Sequence, residues 1–424
     1  MAQVKPFRGM RPTPEKISEV ASPPYDVLNS EEAREKAKDN PNSFLHVVKP
    51  EIDLNPSIHL YDPRVYAQGR KNLRRLIKNG ILVQDEKPCL YIYKLRMGEH
   101  EQVGLVALAS VKEYEEDKIK KHEHTRPDKE QDRMNHIDNL NAQTGPVFLT
   151  YRSSKEIDDL MKKGMQKTAV YDFIGDYDVR HTFFVVDDDA LIQKIQEAFS
   201  SIDALYVADG HHRSAAATRV RESRMKQNSK HTGEEEYNFF LSVVFPDSQM
   251  QILDYNRAVK DLNGLSPEEF LAKVEEDFEI KPHVVCCGTG NNNGMRAYRP
   301  QTIHTFGMYL DGQWYELTAK ENSFDSSDPI KQLDVSILQE NLLRPVLGIK
   351  DPRTDKRIHF VGGIRGLEEL ERLVNSREYA MAFSLYPTRI GQLLAVADAG
   401  KVMPPKSTWF EPKLRSGIVI HMLG

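Results

Sequence analysis

The chain has 424 residues, 39% of them hydrophobic and 29% charged, with a formal net charge of −5. That length exceeds one ordinary core and points to two or three domains. The acidic balance argues against a nucleic-acid partner, because counterion release needs a basic face. No apolar run approaches the roughly eighteen residues of a membrane span, and Met1-Ala2-Gln3-Val4-Lys5-Pro6 has no apolar leader. Three cysteines, Cys89, Cys286 and Cys287, suit reduced thiols. A cytoplasmic protein without a membrane partner is therefore expected.

Paired prolines in Ser22-Pro23-Pro24-Tyr25-Asp26 impose an extended segment, a rigid loop with a polar tip. Asn29-Ser30-Glu31-Glu32 starts a helix that ends near Asn40-Pro41. Phe44 to Val48 reads as a strand, and Val65 to Asn79 as a helix ended by Gly80. Residues 89–93 and 103–111 read as neighbouring strands of a mixed sheet. Thr125-Arg126-Pro127-Asp128 reads as an N-cap followed by proline in the first turn. On the helix that follows, Lys129, Arg133, His136 and Leu140 share a stripe, and Met134 and Ile137 turn to the core. Strands are expected at 147–151, 181–186, 205–208, 239–245 and 251–255, with helices at 189–198 and 211–225. This alternation predicts an α/β protein with a mixed sheet. The texture changes near 280, so an amino-terminal and central domain 1–280 and a smaller carboxy-terminal α/β domain 281–424 are expected. Within the latter, Gly288 to Gly294 reads as a loop, its G-x-G-x-x-x-G spacing being wrong for a dinucleotide fingerprint.

The sharpest feature is Ala208-Asp209-Gly210-His211-His212-Arg213. An apolar strand ends at Asp209, Gly210 permits a tight turn, and an alanine-rich helix begins at once. Its first amides lack intrahelical partners and carry the positive end of the dipole. Two histidines and an arginine add donors on that turn, so an anion such as phosphate is the natural guest. A free-standing scaffold would place Asp or Glu there instead. A second feature is Lys121-His122-Glu123-His124-Thr125, in which Glu123 is a candidate base and Lys129 and Arg133 extend a cationic wall; a solvated helix start is the plain alternative. Asn141, Gln143 and Thr144 before Gly145-Pro146 suit either a polar substrate or a helix end. Lys406, Ser407 and Thr408, within Met403 to Lys413, suit either a substrate contact or a proline-braced docking segment.

The stretches SPPYDV at 22–27, HEHT at 122–125, ADGHHR at 208–213 and MPPKSTWFEPK at 403–413 resemble the bacterial and archaeal domain-of-unknown-function family 1015 over essentially the whole chain. The DGHHR stretch separately resembles the free serine kinases of the ParB/sulfiredoxin superfamily. That second resemblance implies a ParB/sulfiredoxin-like core and a kinase of a small hydroxylated metabolite, free L-serine above all. It implies ATP or ADP as phosphate donor, with Asp209, Gly210, His211, His212 and Arg213 holding phosphates and Asp209 holding Mg2+. Glu123 would be the base, and Asp209 and His211 would assist; from the residues themselves, Thr125, Asn141, Gln143, Lys406, Ser407 and Thr408 are candidate substrate contacts. The interval from Glu123 to Asp209 is longer here than in those compact kinases. The chain lacks G-x-x-x-x-G-K-[ST], H-R-D and D-F-G patterns, so a kinase must use the Gly210 turn as its cradle. Two rival classes are a nucleotide-binding switch of ParB type and a metal-dependent hydrolase using His122, His124, His211 and His212.

Overall fold

The computed structural model describes residues 2–283 and 297–424, so Cys286, Cys287 and the loop 288–294 lie outside the described residues. The chain forms two compact units, one of Met1–Met250 with Pro412–Gly424 and one of Gln251–Glu411. The boundary expected at 280 falls inside strand Phe278–Pro282, which pairs with Gln313–Ala319 within the second unit.

A mixed sheet organises the first unit. Its order among the described residues is Ile119–Lys120, Leu205–Asp209, Val147–Tyr151, Phe239–Pro246, His100–Ser110, Leu90–Met97, Arg180–Val186, Tyr171–Ile174, with Val4–Lys5 also on His100–Ser110. The strands are rich in Val, Ile, Phe and Tyr, which suit a pleated, doubly covered surface. Helices Lys155–Gly164 and Asp189–Ser200 bury Ile157, Leu160, Ile192 and Phe199 on one face, against Leu90, Ile92, Leu105 and Leu149. Helices Ser30–Ala37 and Pro63–Lys78 pack into a neighbouring cluster with Phe44 and Leu45. The first of these starts as expected, at a reciprocal Asn29–Glu32 capping box.

Two local expectations are corrected. Phe44 to Val48 is not a strand: Leu45–Val48 is a single helical turn. A short apolar run carries no period, and here the Ser43 hydroxyl accepts from the Leu45 amide at 3.3 Å, beginning the turn. Thr125 is not the N-cap of helix Pro127–Leu140. Arg126 occupies that position without a side-chain cap, and the Thr125 hydroxyl donates to Glu130. The helix closes at Asn141, whose left-handed φ of 52° makes it the cap.

The second unit is built on an antiparallel sheet of order Phe278–Pro282, Gln313–Ala319, Thr305–Leu310, Met381–Leu385, Tyr255–Val259, Ile358–Gly362. Helix Glu368–Asn375 covers one face through Leu370 and Leu373, against Ala258, Trp314 and Ala382. Among the described residues no helix is long and apolar enough to cross a membrane.

Candidate functional site

The site follows from one strand pairing. Ile119–Lys120 runs parallel to Leu205–Asp209, with Leu205 opposite Ile119 and Tyr206 opposite Lys120. Parallel neighbours end on the same edge of a sheet, so the segment after Lys120 and the turn after Asp209 emerge side by side. Carboxyl ends of parallel strands are where open α/β sheets place ligands. Strand Val147–Tyr151 lies antiparallel to Leu205–Asp209 on the other side, which brings Gly145 and Pro146 to the same edge. Ser22 and Ser416 exchange backbone hydrogen bonds at 3.0 and 2.9 Å, and their segments carry Tyr25, Asp26 and Lys413.

Gly210 makes the turn with φ 95°, a conformation L side chains avoid. Its carbonyl accepts from the amides of Arg213 and Ser214 at 2.8 and 3.1 Å, opening helix His211–Gln227. The amides of His211 and His212 thus precede the first intrahelical bond. Both rings turn toward the 122–126 segment. His211, 3% exposed, receives the His122 amide on Nε2 at 3.5 Å and places Nδ1 3.5 Å from the Glu123 carboxylate. A nitrogen facing an N–H must be the unprotonated one, so the geometry assigns the proton to Nδ1, directed at Glu123. Burial holds His211 well below the usual imidazole range, and the edge-on His122 ring, 4.4 Å away, adds to this. His122 is itself pushed down to about 4 by burial. His212 accepts from the Arg126 amide at 3.1 Å on Nε2 and is lowered by burial as well. The three donors expected on the turn are therefore revised, since the Nε2 atoms of both histidines accept. The two imidazoles are neutral clamps on the 122–126 segment, and Arg213 alone of the three is charged.

Arg213 lies with 12% of its side chain exposed. One terminal nitrogen donates to the Pro146 carbonyl and the other sits 3.3 Å from Asp26, while Nε is buried without a partner among the described residues. Burial opposes its charge, but the carboxylates of Asp26 and Asp209 outweigh that and hold the guanidinium protonated. Lys413 binds Asp209 at 2.9 Å. Burial would raise the Asp209 carboxyl; Lys413 and then Arg213 more than cancel that and keep it well below the carboxylate range. The Tyr25 ring lies 4.0 Å from the Arg133 guanidinium and 6.0 Å from that of Arg213, and burial pushes its hydroxyl up to about 12. A cavity of about 30 Å³, enough for a water, lies among Tyr25, Arg133, Thr144, Arg213 and Ser416.

The structure thus gathers Glu123, Asp209, Gly210, His211, His212 and Arg213, with Arg133 across the Tyr25 ring. Arg133 is neutralised by Asp132 at 2.7 Å, and Lys129 lies over Tyr61 at 5.4 Å, so neither extends an open cationic wall. Other expected substrate contacts are engaged internally. Asn141 donates to the Gly424 carbonyl and accepts from Arg224 at 2.6 Å. Gln143 bridges the Phe239 carbonyl and Leu241 amide at 3.0 and 2.6 Å. Lys406, Ser407 and Thr408 belong to the second unit, where Ser407 donates to the Pro404 carbonyl at 2.6 Å. Tyr25, Asp26 and Lys413 were not among the expected site residues, although the stretches that carry them, 22–26 and 403–413, stand out in the sequence. Nor does Asp209 suit a resident Mg2+, since an ammonium holds one of its oxygens. Among the described residues no group of three or more His, Cys, Asp or Glu could hold a metal ion, the four histidines included.

The profile of a family described as a protein of unknown function (DUF1015) matches residues 4–336. No curated protein matches the chain. Similar solved structures include a mutant free serine kinase in complex with AMP, 13% identical, covering 74% of this chain and 91% of that one with a TM-score of 0.35. Another is a mutant free serine kinase in complex with ADP, at 14% identity, the same coverages and a TM-score of 0.33. A third is SbnI with a carboxy-terminal truncation from Staphylococcus aureus, 11% identical, covering 76% and 87% with a TM-score of 0.30.

Proposed function

For this chain, which belongs to the DUF1015 family, we propose a nucleotide-dependent phosphotransferase that phosphorylates a small hydroxylated metabolite at the Gly210 turn. Free L-serine is the substrate to test first. The observation that carries the reading is the Glu123 carboxylate, held 3.5 Å from His211 Nδ1 on the turn that also carries Arg213, whose carboxylate partner Asp26 lies 3.3 Å away. Phosphoryl transfer asks for little else than positioned cations and an acceptor for one proton.

In this reading Glu123, 43% exposed, takes the hydroxyl proton as the substrate oxygen bonds to the transferred phosphorus and the bond to the donor's leaving oxygen breaks. His211 orients the carboxylate by directing its Nδ1 proton at it. Arg213 and the amides of His211 and His212 face the donor phosphates. ATP or ADP would bring Mg2+ with it; no step is assigned to a metal held by Asp209.

The test is a screen of ATP, ADP and pyrophosphate as donors against serine, other amino acids and simple alcohols, with products followed by mass. O-phosphoserine supports the full reading, and another phosphorylated hydroxyl replaces serine only. Nucleotide binding without transfer from any donor overturns the kinase and favours a nucleotide-binding switch.

A further inference from the structure

The second unit contains a cavity of about 690 Å³, within the range of small-molecule sites. At its wall is Arg257, central in strand Tyr255–Val259 and only 3% exposed. Side chains alternate along a strand, so Arg257 faces away from Ala258 and the cluster under helix Glu368–Asn375. Its guanidinium donates to the backbone carbonyls of Tyr255 and, at 2.8 Å, Lys406, and lies 5.1 Å from the Phe360 ring. No carboxylate pairs with it among the described residues, and the sequence of 284–296 contains neither Asp nor Glu. Burial alone pushes its proton affinity down, to about 10, so it remains charged at neutral pH. Buried charges are ordinarily paired, because desolvating one costs several kcal/mol.

A second polar group on the wall is also unmatched. Ser336 is 5% exposed, and its hydroxyl has no hydrogen-bond partner among the described residues. It lies in helix Asp334–Leu338, which widens at Gln339–Leu343 into a π-helical turn that also lines the cavity. Such widened turns recur at ligand sites. The carboxylates lining the cavity are each matched: Glu340 by Arg344 at 2.6 Å, Asp351 by Arg353 at 2.8 Å and Asp325 by Lys331 at 4.0 Å. That leaves Arg257, with exposed Lys350 beside the cavity, as positive charge without a carboxylate. Phe324, Ile337 and Phe360 supply apolar wall.

We propose that this cavity is a binding site for a small organic anion, a carboxylate or phosphate head on an apolar body, with Arg257 and Lys350 meeting the head and the Ser336 hydroxyl donating to it. The proposal is independent of the Gly210 turn.

The test uses the full chain and a matched pair of fluorescent probes, 8-anilinonaphthalene-1-sulfonate and its uncharged parent N-phenyl-1-naphthylamine. The wild type is expected to bind the sulfonate at one saturable site, more tightly than the parent. Arg257→Met should weaken the sulfonate about 10- to 100-fold, the loss of a charged contact. It should leave the parent probe within about twofold on the same basis. Lys350→Gln, at an exposed position, should weaken the sulfonate several-fold and carries the test if Arg257→Met does not fold. Displacement by benzoate or by phenyl phosphate then identifies the head. Absence of saturable sulfonate binding, or affinity unchanged in either folded variant, overturns the proposal.

Discussion

Arg213→Ala separates a phosphate-binding arginine from a purely architectural one, and the structure sets the size of each effect. The variant loses the bond to the Pro146 carbonyl and the contact with Asp26 at 3.3 Å. Asp209 is not orphaned, because Lys413 stays 2.9 Å from it, and the Asp26 side chain is 38% exposed and can rehydrate. The folding cost is therefore close to one charge-assisted hydrogen bond, about 1.5–3 kcal/mol, with a small cavity besides. A contact strengthened in the transition state is worth about 2–4 kcal/mol more, or roughly 30- to 1000-fold in rate. The assay pairs urea denaturation with nucleotide calorimetry and product formation. Arg213→Lys retains the charge but not the planar fork, and should fall between wild type and Arg213→Ala. A folded Arg213→Ala protein with wild-type nucleotide affinity and turnover would refute the phosphate role.

Three further outcomes are expected. Glu123→Gln should keep nucleotide affinity and lose turnover by about 10²- to 10⁴-fold, because a base acts on the hydroxyl and not on the donor; wild-type turnover would remove the base assignment alone. Gly210→Ala forces a side chain to φ 95° with its Cβ 3.4 Å from Val147 Cα, and should cost about 1–3 kcal/mol in urea denaturation while weakening nucleotide binding; an unchanged midpoint would contradict the strained turn. His122 and His136, each 3% exposed, are pushed down to about 4 by burial, from 6.5 in the unfolded chain. Between those values the unfolded state binds the extra proton, so stability is complete above 6.5 and falls as pH drops toward about 4. Each ring accounts for on the order of 3 kcal/mol of that fall. His136→Gln, keeping a donor near the Val47 carbonyl, should flatten the acid limb, and a slope equal to wild type would count against a neutral native ring.

The turn itself was legible because everything it needs is local: an apolar run, a glycine, and an alanine-rich helix behind it. Its approach to Glu123 was not, since it depends on a two-residue strand, Ile119–Lys120, adding parallel to Leu205–Asp209. So short a strand leaves no period in the sequence. The roles of His211 and His212 are hidden from the sequence for a related reason. Adjacent histidines on a helix start look cationic, but the backbone amides of His122 and Arg126, supplied by a distant segment, point at their Nε2 atoms. Lys413 stood in a recognised stretch, yet only the Ser22–Ser416 backbone pairing shows that it, and not Lys406, belongs with Asp209. The stripe Lys129, Arg133 and His136 was placed correctly on one helix, but helical spacing does not reveal that Asp132 would neutralise Arg133.

Charge at the turn, counted pair by pair, indicates how an anion would enter. Lys413 and Asp209 are bound at 2.9 Å, and their side chains are 21% and 30% exposed. Arg213 and Asp26 are looser, at 3.3 Å, with the acid 38% exposed on a proline-braced loop. Exposed, long ion pairs contribute about 0–1 kcal/mol, whereas shorter, partly buried ones contribute more. On the phosphate reading, an incoming oxyanion takes Arg213 from Asp26, the weaker partner, and leaves the Lys413–Asp209 pair intact. Asp26 then acts as an internal stand-in for the ligand, keeping a buried guanidinium matched while the site is empty at little cost to affinity.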